Sequence, residues 1–154
     1  MQNEIIQYIE QNKEKHYRIA YSYVKNQEDA LDIIQDTIIK ALKYEKSLKH
    51  KEYLSTWFCR ILINNCKTYL KKKDKVVYIE AIETLEIDHS NEEQKMDIEW
   101  AIEKLNTQEK EIILLRFYQG LELKEVAEVT SKNLSTVKST LYRAMKKLKT
   151  LLGE

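Results

Sequence analysis

Proline is absent from the 154 residues, and glycine occurs only twice. A chain with so few helix breakers and turn formers is expected to be all-α. Long apolar runs are missing too: none approaches the roughly 20 residues needed to span a bilayer, so no membrane insertion is expected. The first stretch, "MQNEIIQYIEQNKEK", carries charges where a signal peptide needs apolar residues, which points to the cytoplasm. Cysteine is scarce. Cys59 and Cys66 are seven apart in one helical pattern, about 10 Å along the axis, which is beyond disulfide reach. They read as small buried apolar residues in a reducing compartment. Net charge is nearly missing as well, with 26 Lys and Arg against 25 Asp and Glu. The global balance therefore identifies no class of partner.

What is present is charge sorted along the chain. Residues 1–75 carry 15 bases and 10 acids, residues 76–98 carry 1 and 7, and residues 99–154 carry 10 and 8. The expected organisation is two small helical domains, 1–75 and 99–154, joined by an acidic linker over 76–98 that holds at most a short helix. Six bases and no acid lie between Glu128 and Glu154.

The C-terminal domain reads as a helix-turn-helix. Asn106 can cap a helix with Glu109 in its first turn, which then runs toward Gly120. "LELKEVAEVT" supplies a second, with Leu123, Val126 and Ala127 on one face. The polar turn Ser131 to Asn133 leads into Ser135 or Thr136 as the next N-cap. In the last helix Val137, Leu141, Ala144, Leu148 and Leu151 form an apolar stripe with Met145 at its edge. The opposite face carries Ser135, Lys138, Ser139, Tyr142, Arg143, Lys146, Lys147 and Lys149. Apolar behind and purely cationic in front, such a helix suits a polyanion. Its hydroxyls supply the hydrogen bonding that base edges require.

In the N-terminal domain Asn26 can cap "NQEDALDIIQDTIIKALKY", with Ala30, Ile34, Ile38 and Ala41 as the buried stripe, widened by Leu31, Ile33 and Leu42. The other face holds Glu28, Asp32, Gln35 and Asp36 with Ile39 among them, a pattern for a basic, partly apolar protein partner. In "LSTWFCRILINNCKTYLKKKDK", Trp57, Arg60, Asn64, Lys67 and Lys71 recur every three or four residues and share a face, opposite Phe58, Cys59, Leu62, Cys66, Tyr69 and Leu70. A ring to stack on a base, an amide for its edge and three cations for phosphates suit unpaired nucleic acid. Trp57 can equally be core, packed beneath the loop before it.

These segments, in this order over about residues 15–152, resemble the two-domain sigma factors of the extracytoplasmic-function group. "DALDIIQDTIIKAL" is similar to the family's docking segment for the clamp helices of the beta-prime subunit of core RNA polymerase. The resemblance places Asp32, Gln35, Asp36 and Ile39 at that contact. "STWFCRILINNCKTYLKKK" is similar to the promoter-melting helix, with Trp57, Arg60 and Asn64 at matching positions and Lys67 and Lys71 alongside. "LNTQEKEIILLRFYQGLELKEVAEVTSKNLSTVKSTLYRAMKKL" is similar to the region that binds the minus-thirty-five element, which puts Ser135, Thr136, Lys138, Ser139, Tyr142, Arg143, Lys146 and Lys147 on duplex promoter DNA. The chain departs from the family at Thr68, where an Asp is frequent, at Asn106 and at Ser135.

The resemblance implies a dissociable bacterial transcription initiation factor that directs core polymerase to promoters and assists melting. It also implies contact with the polymerase beta flap and an anti-sigma partner. No catalytic apparatus, metal or cofactor is expected: His16, His50 and His89 are isolated, and neither a Cys-x-x-Cys pair nor a glycine-rich phosphate loop occurs. Two other readings stand beside it. A helix-turn-helix regulator with a sensing or dimerising N-terminal domain explains the last helix, but gives Trp57 and the acidic face no task. A helical adaptor binding only proteins predicts that removing Lys146, Lys147 and Lys149 leaves every partner bound.

Overall fold

A computed structural model describes residues 1–77 and 98–153, with side chains up to residue 73 in the first segment. All but the two ends of the expected acidic linker falls outside those residues. The described chain is all-α, with α1 Gln2–Gln11, α2 Lys13–Val24, α3 Gln27–Lys43, α4 Leu54–Val77, α5 Ile98–Glu103, α6 Thr107–Ile113, α7 Leu123–Thr130 and α8 Leu134–Leu151. Two short 3-10 turns, Glu45–Ser47 and Lys51–Tyr53, join α3 to α4, and a π-helical turn, Leu114–Tyr118, continues α6. Among the described residues no helix is long and apolar enough to cross a membrane.

Local chemistry sets most boundaries. Asn26 accepts the Asp29 N–H at 2.9 Å and starts α3. Asn106 and Glu109 form a reciprocal capping box at α6, the Asn106 side chain accepting the Glu109 N–H and the Glu109 carboxylate accepting the Asn106 N–H. Gly120 closes the π-helical turn at φ +73°, a conformation that costs glycine least. Ser131 takes φ +59° at the end of α7 and turns the chain into α8. The cap of α8 is Asn133, which accepts the Thr136 N–H at 2.9 Å, and not Ser135 or Thr136. A planar carboxamide two residues upstream reaches the orphan donor, while the Ser135 hydroxyl itself donates to Asn133 Oδ1.

α2, α3 and α4 pack on one another around Ile19, Ala20, Ala30, Ile33, Leu62 and Ile63. The buried stripe of α3 is Ala30, Ile33, Thr37 and Ala41; Ile34 and Ile38 are half-buried and Leu31 is 46% exposed. The stripe turns toward Thr37 because α3 is wedged between α2 and α4, and the Thr37 hydroxyl is satisfied by the Ile33 carbonyl at 2.7 Å. Cys59 and Cys66 are free and buried, and burial pushes both thiols up to about 12. A second cluster gathers Ile5, Ile9, Leu48, Leu54 and Phe58 beneath α1, with His16 stacked 4.6 Å from the Phe58 ring.

The two halves are packed together. Ile112, Leu114, Leu115, Leu121, Val126, Val129 and Val137 join the buried cluster of α2, α3 and α4. Around it, Arg18 pairs with Glu99 at 3.2 Å and lies over the Tyr118 ring, Thr56 donates to Glu125 at 3.3 Å, and Arg60 pairs with Glu128. Local periodicity foretells two modules but carries no information about this contact.

Candidate nucleic-acid interface

The polar face of α3 is open. Asp32, Gln35 and Asp36 are exposed and Ile39 is 62% exposed. The side chains sit one turn apart because α3 buries the opposite stripe, so the helix offers carboxylates around one apolar contact. Leu31, expected in the core, lies at the margin of this surface and lines a groove of about 670 Å³ with Tyr17, Tyr21, Ile34, Ile102 and Leu114.

On α4, Arg60, Asn64, Lys67 and Lys71 are exposed and Trp57 is half-buried. Trp57 packs against the Phe58 cluster, as the core reading expects, and it also lines a cavity of about 330 Å³ together with Arg60 and Asn64. Its Nε1 donates to Ser47 Oγ at 2.9 Å, and Ser47 in turn donates to the Tyr44 carbonyl at 2.8 Å. The ring is therefore held by the 3-10 turn, with its N–H consumed. Lys40, Tyr44, Ser47, Ile61 and Asn65 complete the lining. None of these five belongs to the stripe seen in the sequence, because they come from α3, the connecting turn and the flank of α4. The one local signal was the pair Asn64–Asn65, an amide on each of two faces.

Arg60 is not free. Its guanidinium donates to the Glu128 carbonyl at 2.9 Å and lies 3.6 Å from the Glu128 carboxylate. Lys67 faces Lys132 of the other half; burial and that neighbouring cation lower its pKa.

α8 presents Ser135, Thr136, Lys138, Ser139, Arg143, Lys146 and Lys147 to solvent, with Tyr142 73% exposed. Val137, Thr140, Ala144 and Leu148 are buried behind them, and Leu141 is half-buried. Thr140 was not expected in the core; it accepts a hydrogen bond from Arg143 at 3.3 Å and so orients that guanidinium. Lys147 differs from its neighbours in pairing with Glu109 at 3.0 Å. Burial works to raise the Glu109 carboxyl, but the Asn106 N–H and Lys147 outweigh it and hold it below its ordinary value. The open face of α8 is thus a row of hydroxyls and cations with no acid, on the second helix of a helix-turn-helix. Such a helix can enter a major groove.

Comparison with known proteins bears on the whole chain. The sequence profile of Sigma-70 region 2 matches residues 8–76, and that of Sigma-70, region 4 matches residues 95–148. The RNA polymerase sigma factor SigV of Bacillus subtilis is 41% identical over 90% of this chain and 84% of its own length. The ECF RNA polymerase sigma factor BldN of Streptomyces coelicolor is 28% identical over 90% of this chain and 56% of its own. In fold the chain is similar to the sigma factor RpoE of Bartonella quintana, solved with the anti-sigma factor NepR. The TM-score is 0.77 at 23% identity, over 95% of this chain and 94% of that one. Two helical regions in the sigma-70 order, with a 41% identical sigma factor spanning them, settle the family: the chain belongs to the extracytoplasmic-function sigma factors of bacterial RNA polymerase, the initiation factors that direct the polymerase to promoters.

Proposed function

We propose how the work is divided. Residues 1–75 dock on core polymerase and capture the opened minus-ten strand, 76–98 link, and 99–154 read the minus-thirty-five element. Asp32, Gln35, Asp36 and Ile39 contact the clamp helices of the beta-prime subunit. Trp57, Arg60, Asn64, Lys67 and Lys71 take the single strand: an unstacked base enters the cavity beside Trp57 while the cations hold its phosphates. Extruding a base costs a few kcal/mol, which the cavity must offset, so melting depends on sequence. Ser135, Thr136, Lys138, Ser139, Tyr142 and Arg143 face the major groove, and Lys146 and Lys147 its phosphates, with the beta flap behind the same domain.

The observation that carries this reading is the adjacency of the open acidic face of α3 and the Trp57 cavity, which α3 and α4 build together. The factor acts in the bacterial cytoplasm, without cofactor or catalysis of its own. An anti-sigma partner, such as the one RpoE of Bartonella quintana is solved with, would hold it in reserve.

The test is capture of core polymerase by the intact chain and by Asp32→Lys/Asp36→Lys. Strong capture by the parent, lost in the double variant, supports the docking face. Equal capture by both would move docking elsewhere.

A further inference from the structure

Lys40 lies on the last turn of α3 and was no part of either surface expected from the sequence, yet it lines the cavity beside Trp57. Its ammonium is held in place. Nζ donates to Asn65 Oδ1 at 2.7 Å, Asn65 Nδ2 donates to Thr37 Oγ1 at 2.9 Å, and Thr37 Oγ1 donates to the Ile33 carbonyl at 2.7 Å. Because the Thr37 hydrogen is spent on Ile33, its oxygen can only accept there. That forces the amide nitrogen of Asn65 toward Thr37 and its carbonyl toward Lys40. Thr37 is fully buried and Asn65 is 8% exposed, so the relay is anchored in the core and ends in a cation at the cavity. An ammonium has three donors. One is used by Asn65, and the others remain for a ligand without the entropy cost of ordering a free lysine.

The other polar groups sharpen the point. The Trp57 N–H is already bonded to Ser47, so the ring offers a base its surface and no hydrogen bond. Asn64 is exposed, and a carboxamide can turn either end toward a base. The fixed polarity of the lining is thus that of a donor. A base edge with a carbonyl oxygen, as on thymine, guanine or cytosine, matches it; adenine offers a donor only ring nitrogens, and N1 and N7 both lie beside the exocyclic amine, which opposes the ammonium.

Resting on the reading of this cavity as the seat of an unstacked promoter base, we infer that Lys40 is a specificity-determining residue that selects a carbonyl-bearing base over adenine. Asn65 and Thr37 are the positioning residues that aim it.

The experiment is transcription by the holoenzyme, reconstituted from the full chain and core polymerase, on promoters randomised across the minus-ten element. The variants are Lys40→Met, Thr37→Val, Thr37→Ser and Trp57→Leu. With the parent, one position should be depleted of adenine. Lys40→Met should relax that position by about fivefold or more and leave the others unchanged. Thr37→Val should relax it part of the way, and Thr37→Ser, which restores the hydroxyl, should not. Capture of core polymerase by Lys40→Met should match the parent.

A uniform fall in yield at every position with Lys40→Met would make Lys40 a phosphate contact and overturn the inference. So would an unchanged profile, or a depleted base other than adenine. If Trp57→Leu leaves the parent's selection intact, the cavity reading itself fails. If Trp57→Leu abolishes selection while Lys40→Met does not, only the role of Lys40 fails.

Discussion

Single residues here answer to their partners more than to their type. Lys146 and Lys147 are adjacent in sequence and both look like phosphate contacts, but Lys147 pairs with Glu109, which is 1% exposed. Only the Glu109 end of this pair is buried, so removing Lys147 leaves that carboxylate with the Asn106 N–H but without its charge partner. Lys147→Ala is expected to lower stability by about 1–3 kcal/mol, while Lys146→Ala changes it by less than about 0.5 kcal/mol. Chemical denaturation of the two variants decides this, and equal midpoints would show the Glu109 pair to be idle.

Two buried titratable groups shape the pH dependence. Burial lowers His16 to about 4, and Lys15 adds to the shift. Its contribution is therefore complete above the unfolded value of about 6.5 and is lost as pH falls toward 4. Burial raises Glu111 to about 7 against the partial relief of Lys132, so its contribution has the opposite sign, complete below about 4.5 and lost as pH rises through 7. Between about pH 4.5 and 6.5 the two slopes oppose each other, and thermal stability should be nearly flat. Glu111→Gln should raise stability at pH 7.5 by on the order of 1–3 kcal/mol and expose the fall due to His16 at acid pH. Melting curves at pH 5 and 7.5 read both; a variant with the parent's profile would show that Glu111 does not titrate in this range.

At the level of elements, caps and periodicity decided where helices begin and which side faces inward. Asn26 and Asn106 were legible as caps because a short polar side chain preceding an acidic first turn has few other uses. The start of α8 was misplaced by two or three residues, since Asn133, Ser135 and Thr136 are all competent caps and only the backbone path out of Ser131 chooses among them. Asn133→Ala should therefore cost about 1 kcal/mol, and Thr136→Ala much less. Differential scanning calorimetry compares them, and the reverse order would restore the cap to Thr136. Thr37 and Thr140, which belong to neither apolar stripe expected from the sequence, are buried. Each has its hydroxyl bonded, Thr37 to the Ile33 carbonyl and Thr140 to Arg143, and a methyl left to pack. Periodicity counts such residues on the wrong side.

At the scale of the whole molecule, the packed halves bring Arg60, a cation of the proposed strand-binding stripe, against the helix-turn-helix. Arg60 commits one guanidinium nitrogen to the Glu128 carbonyl and shares its charge with the Glu128 carboxylate, which leaves less of it for a phosphate. Exposed pairs of this kind are worth about 0–1 kcal/mol, so on the proposed reading the contact weakens strand capture without preventing it. Glu128→Gln should tighten binding of a single-stranded oligonucleotide by at most about fivefold, with duplex affinity nearly constant. Fluorescence anisotropy measures both, and an equal gain on duplex would reduce the effect to general charge.

By itself the sequence determined the all-helical class, the two modules, the exposed acidic face of α3, the Trp57 stripe and the cationic face of α8. All of these are written in residues three and four apart on one helix, where periodicity and capping act over a few ångströms. Only the tertiary structure decided that Lys40, Asn65 and Thr37 share a relay, that Lys147 is tied to Glu109, and that Arg60 is held by Glu128. These contacts join residues 25 to 68 positions apart. Such pairs are set by how helices stack around a common core, and no local pattern records them.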